Sequence, residues 1–167
     1  MAHRKTPAPM GKKQDREVAI ALPKKTDSMA QTAAADDTGR PVHEWTGMEK
    51  ISKVRQGMTR KDLEDVKESF GLDYETLAKV LSVAKATLFN KKGAEKFNPS
   101  LSEKIFVLAD LYSYGLSVFG EKERFNSWLE KENRALGYAR PLELLDTMIG
   151  VDEVKNMIGR IEHGIYA

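Results

Sequence analysis

The sequence predicts an all-α protein, and three observations carry that reading. From Trp45 onward apolar residues recur at spacings of three and four, the period of a helix with one buried face. No stretch alternates apolar and polar residues for long enough to form a strand. Glycine and proline fall where the apolar runs start or stop, at helix ends rather than inside helices.

Taken in order, residues 1–44 stand apart. They mix Lys, Arg, Asp, Ser, Thr, Ala and Pro around a single apolar cluster, Val18 to Leu22, with no sustained period of either kind, which predicts a disordered arm. Its basic pairs Lys12-Lys13 and Lys24-Lys25 suit either a solvated tail or contact with nucleic acid or a partner. A first helix is expected from about Met48 to before Gly57. Thr59 and Asp62 give a second helix a capping-box-like start, with the carboxylate at the positive end of the dipole. Leu63, Val66 and Phe70 then share a face, and Gly71 closes the helix. Asp73 suits the N-cap of a third, whose buried side is Leu77, Ala78 and Leu81. After a break at Ser82-Val83-Ala84, Lys85 to Lys92 forms a short helix with Leu88 inward and Gly93 past its end.

A long helix opens near Ser100, after Asn98-Pro99. Leu101, Ile105, Leu108, Tyr112, Leu116 and Phe119 give it one apolar face, and Phe106, Val107, Leu111 and Val118 add others, so it is the expected central helix. Gly120 ends it. Phe125, Trp128 and Leu129 define the next helix, and Gly137 precedes a terminal pair with apolar positions Leu142, Leu145, Met148, Val151, Val154, Ile158 and Ile161. Pro141 sits at a helix start, where its missing N–H costs nothing.

Composition narrows the function classes. With 167 residues and 41% hydrophobic content the chain supports one medium domain, or a small domain with a module and a tail. There is no uncharged apolar run of the roughly 18 residues that a membrane span needs, and Met1 to Met10 lacks the apolar stretch of a signal peptide, so the expected compartment is the cytosol. The chain contains no cysteine, which excludes disulfides, thiolate nucleophiles and cysteine-held metal. His3, His43 and His163 lie too far apart in sequence to suggest a metal or catalytic pairing, no carboxylate pair stands out, and no phosphate-binding glycine loop is present. Neither an enzyme nor a cofactor is expected. A net charge of +2 is too near balance to argue for nucleic acid by itself.

The charge distribution is more informative. In Asp73 to Lys92, small Ala78 lets two helices cross closely, Val83 plugs the turn and Leu88 anchors the second helix, as in a helix-turn-helix. The exposed side of that second helix then offers Lys85, Thr87, Asn90, Lys91 and Lys92 to bases or phosphates. The alternative is a motif that serves only for packing, its lysines solvated. Ser82 stands where a turn glycine is common, and Ala84 where a capping serine is common.

The end of the chain looks built to be held by a partner. Arg160, Glu162 and His163 close the last helix, Gly164 turns the chain, and Ile165, Tyr166 and Ala167 follow as a partly apolar tail. Alternatively, Arg160 pairs internally with Glu162 or Asp146, and Ile158 and Ile161 are core.

Val118-Phe119-Gly120-Glu121, Trp128-Leu129, Asn133 to Gly137, Pro141-Leu142-x-Leu144-Leu145-Asp146-Thr147 and Gly159 to Ala167, in that order, resemble antitoxins of the Xre/MbcA/ParS class. The resemblance covers roughly Met58 to Ala167. It implies an Xre-like helix-turn-helix module followed by a small helical toxin-binding domain. It also implies a type II toxin–antitoxin partner, a RES-domain toxin that consumes NAD, whose active site the antitoxin obstructs. The expected organisation is an arm over 1–44, a DNA-binding module over 45–99 and a toxin-binding domain over 100–167. The expected partners are that toxin, through Arg160 and Glu162 to Ala167, and the chain's own operator, read by a homodimer or higher oligomer acting as repressor. A stand-alone helix-turn-helix regulator, self-associating through its C-terminal domain, is the second reading.

Overall fold

A computed structural model describes residues 39–91 and 95–165, with no strand among them; residues 1–38 (the predicted arm), Lys92, Gly93, Ala94, Tyr166 and Ala167 lie outside the described residues. The helices are α1 (Gly47–Gln56), α2 (Arg60–Phe70), α3 (Tyr74–Val80), α4 (Lys85–Phe89), α5 (Pro99–Phe119), α6 (Lys122–Leu129), α7 (Pro141–Leu144) and α8 (Met148–Glu162). The all-α expectation holds.

Local chemistry starts most of these helices. Thr59 and Asp62 form the capping box: the Asp62 carboxylate accepts from the Thr59 amide at 2.7 Å, and the Thr59 hydroxyl accepts from the Asp62 amide at 3.3 Å. Asp73, Asn98 and Thr147 cap α3, α5 and α8 with their side chains. Thr46 and Glu49 form a second capping box at α1. The Arg40 guanidinium, then Thr46, hold the Glu49 carboxyl down at about 2.

The core is organised around α5, against which α1, α2, α6 and α8 all pack. Tyr112 is buried between Phe70 and Phe125, with ring centroids 4.8 and 5.4 Å away. Gly115 lets the Phe125 ring lie on the α5 backbone, since a Cβ there would stand 2.1 Å from a ring carbon. Asp110, only 8% exposed, accepts from Lys50 of α1 at 2.6 Å and from Lys155 of α8 at 2.9 Å. One carboxylate thus ties helices from both ends of the chain to α5. Such a group is costly to bury alone and tolerable only with its partners present.

Two boundaries move relative to the sequence expectation. The packed body begins before residue 45: Val42 is buried in a 3-10 turn over Val42–Glu44, and the His43 amide donates to Ser113 Oγ at 3.3 Å. Val42 and Trp45 are too few to register as a periodic run, so the sequence pattern alone starts the packed body at residue 45. The fourth helix stops at Phe89 rather than Lys92, because Arg60 draws the chain off the helix by donating to the carbonyls of Phe89 and Lys91 at 3.2 and 3.4 Å.

Candidate functional site

Two surfaces collect the residues that the sequence singled out. The first is the α3–α4 pair. Leu77 and Leu88 are fully buried, Ala78 is 5% exposed and the Val83 amide donates to the Ala78 carbonyl at 3.0 Å, so the tight turn is built from the residues expected to build it. Ser82 takes the left-handed conformation at φ 54°, where glycine would be at ease. Its hydroxyl donates to the Asp146 carbonyl at 2.9 Å, and Lys104 Nζ donates to the Leu81 carbonyl at 3.0 Å. The turn is therefore held from outside, by the loop before α8 and by α5. Ala84 occupies the N-cap of α4 and gives it no side-chain hydrogen bond.

Lys85 and Asn90 face solvent, whereas Thr87 is half-buried. Lys91 is also half-buried and lies 3.7 Å from the Glu95 carboxylate. Lys92 lies outside the described residues. Sequence reasoning missed Phe89, which is 41% exposed, packs on Tyr74 at 4.5 Å between centroids, and lies under the Arg60 guanidinium at 5.8 Å. The signal was present in Arg60 and Glu64, four apart and 2.8 Å from each other, which orients the guanidinium over α4.

The second surface is an open groove of about 1130 Å³ where the ends of α5 and α8 meet α6. Its apolar lining includes Val118, Phe119, Trp128, Met157, Ile161 and Ile165; Glu123, Arg124 and Lys131 bring charge to it. Phe119 and Trp128 sit 5.2 Å apart, and Trp128 stacks on buried Phe125 at 6.0 Å. The groove therefore rests on the packing that Gly115 permits.

At its edge α8 ends in a Schellman motif. The Ile165 amide donates to the Arg160 carbonyl at 2.8 Å, the Gly164 amide to the Ile161 carbonyl at 3.1 Å, and Gly164 is left-handed at φ 68°. This satisfies the last carbonyls and turns the chain at the groove, with Ile165 60% exposed. The Glu162 carboxylate accepts from Tyr114 Oη at 2.6 Å; burial, then that carboxylate, push the Tyr114 hydroxyl up to about 12.

The structure thus gathers Glu162, His163, Gly164 and Ile165 along the groove, while Arg160 is exposed and does not line it. Tyr166 and Ala167 lie outside the described residues. Among the described residues Arg160 has no ion pair with Glu162 or Asp146. Trp128 and Ile161, which hold apolar positions at helical spacing, are half-buried and line the groove. Sequence periodicity could not separate a core face from a groove wall, since both are apolar at helical spacing.

Comparisons with known proteins match both surfaces. A family model described as the antitoxin Xre-like helix-turn-helix domain matches residues 49–110, and one described as the antitoxin Xre/MbcA/ParS C-terminal toxin-binding domain matches residues 115–164. The chain is 38% identical over 74 residues to an antitoxin Xre of Photorhabdus laumondii, covering 44% of this chain and 50% of that protein. It is 33% identical over 73 residues to an antitoxin Xre of Yersinia enterocolitica, covering 43% and 49%. The chain therefore spans about half the length of these curated relatives. A Prs ADP-ribosylating antitoxin of a Sphingobium species is 28% identical over 131 residues, 72% of this chain and 82% of that one. Among solved structures, a chain of the Mycobacterium tuberculosis MbcT–MbcA toxin–antitoxin complex superposes with a TM-score of 0.49 at 17% identity, covering 65% of this chain and 96% of its own.

Proposed function

Because this chain belongs to the Xre/MbcA/ParS antitoxin family, we propose that it binds and neutralises a RES-type, NAD-consuming toxin by obstructing the toxin's active site with its C-terminal end. Residues 100–167 carry that contact, and residues 45–99 repress the operon by binding its operator. The observation that carries the reading is the groove with its bounding turn. An apolar trough of this size, with Phe119 and Trp128 in its wall, is what a partner's side chains anchor into. The Schellman turn at Gly164 fixes where the chain leaves α8 beside it. Glu162, His163, Gly164 and Ile165 then meet the toxin at the groove, Arg160 does so from the adjoining face, and Tyr166 and Ala167 enter the toxin's cleft.

On the DNA side, Lys85 and Asn90 are the exposed members of the helix-turn-helix. Asn is suited to a bidentate contact with adenine, and Lys to phosphate or guanine. Thr87, Lys91 and Lys92 complete the surface around them. An operator with two half-sites calls for two copies of the chain.

The test is co-expression with the neighbouring gene, following growth and cellular NAD. The full chain is expected to restore both, and a folded chain ending before Gly164 is expected to fail. Rescue by both chains would move the contact onto the helix faces. A neighbour without toxicity would refute the toxin reading and leave a stand-alone regulator.

A further inference from the structure

The exposed face of α4 has an apolar centre. Asn90 continues the helical turn, so at about 100° per residue Lys85, Phe89, Ala86 and Asn90 follow one another in that order across one face, and all four are exposed. Leu88 lies away from that face, fully buried. Polar side chains therefore flank the face, while a phenylalanine ring and a methyl group occupy its middle. Of the other polar side chains, Thr87 is half-buried and Lys91 is drawn to Glu95 at 3.7 Å. Phe89 is also held in place. Tyr74 packs on its ring at 4.5 Å between centroids, the Arg60 guanidinium lies 5.8 Å from the ring, and Arg60 donates to the carbonyls of Phe89 and Lys91, yet 41% of the residue stays open to solvent. A ring fixed this way loses little conformational freedom when something covers it.

We propose that Phe89 is a specificity-determining residue, which packs its ring on the 5-methyl group of a thymine in the major groove. The inference rests on the operator-binding reading above and names the base chemistry that α4 selects. That methyl is the one apolar group the base pairs present in the major groove, so the apolar centre of a helix laid there has a single match; against any other base it would leave hydrogen-bonding groups unpaired. Lys85 and Asn90 at the flanks suit a phosphate and a neighbouring adenine. A protein partner is a poorer fit, because one ring with a methyl group beside it falls far below the roughly 800 Å² per partner of a standard interface. The half-site that suits this face is therefore A·T at its centre.

The experiment titrates the full chain against DNA amplified from upstream of its own gene, once with dTTP and once with dUTP, which removes every thymine methyl group and keeps the base pairing. Covering one methyl group is worth roughly fourfold in affinity, so two copies that each cover one should prefer the thymine form by roughly fifteenfold. Phe89→Ala should bring the ratio of the two affinities near unity, and Phe89→Leu, still apolar, should keep most of it. Each variant is compared with itself on two DNAs, so the ratio does not depend on how much of it is folded. Equal affinity of the parent chain for both forms overturns the inference and leaves the ring to a protein partner. A Phe89→Ala chain with undiminished preference also overturns it, and places methyl readout on another residue. A parent chain that binds neither form overturns the operator reading and this inference together, which tells that failure apart from the other two.

Discussion

Gly115→Ala is the most exacting test of how the groove is supported. In an open helix interior the change stabilises, because alanine is favoured over glycine by about 1 kcal/mol. Here a Cβ would lie 2.1, 2.4 and 2.5 Å from three atoms of the Phe125 ring, where ordinary carbon contacts need about 3.5 Å or more. The ring has nowhere to go. Phe125 is fully buried, with Tyr112, Phe119 and Trp128 at centroid distances of 5.4, 5.2 and 6.0 Å. Overpacking of a filled core costs about 1–3 kcal/mol, occasionally more. Three ring atoms inside contact distance put this case at the upper end, which leaves a net loss of about 2 kcal/mol after the propensity gain. For a chain of this length that is a fall in Tm of roughly 4–8 °C. Thermal and urea unfolding followed by circular dichroism would measure it. Gly47→Ala serves as control, since a Cβ at Gly47 meets nothing within 4 Å and should not destabilise. Adding Phe125→Leu to Gly115→Ala should cost less than the two single changes summed, because the smaller side chain gives back room. A Gly115→Ala chain as stable as the parent, or more so, would refute the reasoning, for α6 could not then lie where the groove requires it.

Other expectations follow from single contacts. Asp110→Ala leaves Lys50 and Lys155 facing each other without their carboxylate; with Lys155 43% exposed the loss should sit near the lower bound for breaking a buried pair, about 3 kcal/mol, and a urea midpoint that does not move would refute the pairing. Ser82→Ala forfeits the hydrogen bond to Asp146 and keeps the left-handed φ, whereas Ser82→Gly forfeits the bond and relieves φ. The alanine chain should therefore be the less stable by about 1–2 kcal/mol, and the opposite order would count against the turn as described. Glu49 has a folded pKa of about 2 against an ordinary 4.5, so its contribution is complete above about pH 4.5 and lost as pH falls toward 2. Glu49→Gln should flatten the decline in urea midpoint across that window, and an unchanged decline would discard the Arg40 contact. In gel-shift titrations with operator DNA, Lys85→Ala should lower affinity and reduce the salt slope by about one; an unchanged slope would remove Lys85 from the phosphate contacts.

What could be read from the chain and what could not divide by the range of the interaction involved. Caps and stops act within three or four residues, so Thr59 with Asp62, Asp73, Gly71, Gly120 and Gly164 declared their helices in advance, and each sits at a helix end in the structure. Lys50 could not be read this way. Its partner Asp110 is 60 residues away, and by local pattern alone a lysine three before Lys53 belongs on the wet side of a helix. Once Asp110 and Asp62 draw those lysines inward, Met48 and Ile51 are forced out, so a long-range ion pair decides the polarity of a helix that its own residues would have set the other way. The groove failed to announce itself for a related reason. Phe119, Trp128 and Ile161 obey the core period, and only the placement of three helix ends decides that they line an open trough instead. Ser82 lies between these cases. Its departure from glycine was visible in the sequence, but the reason it is tolerated, a carbonyl 64 residues further on, was not. That contact gives the departure a use: the residue that strains the helix-turn-helix also ties it to the loop before α8, so replacing it with glycine would relax the turn and release that tie together.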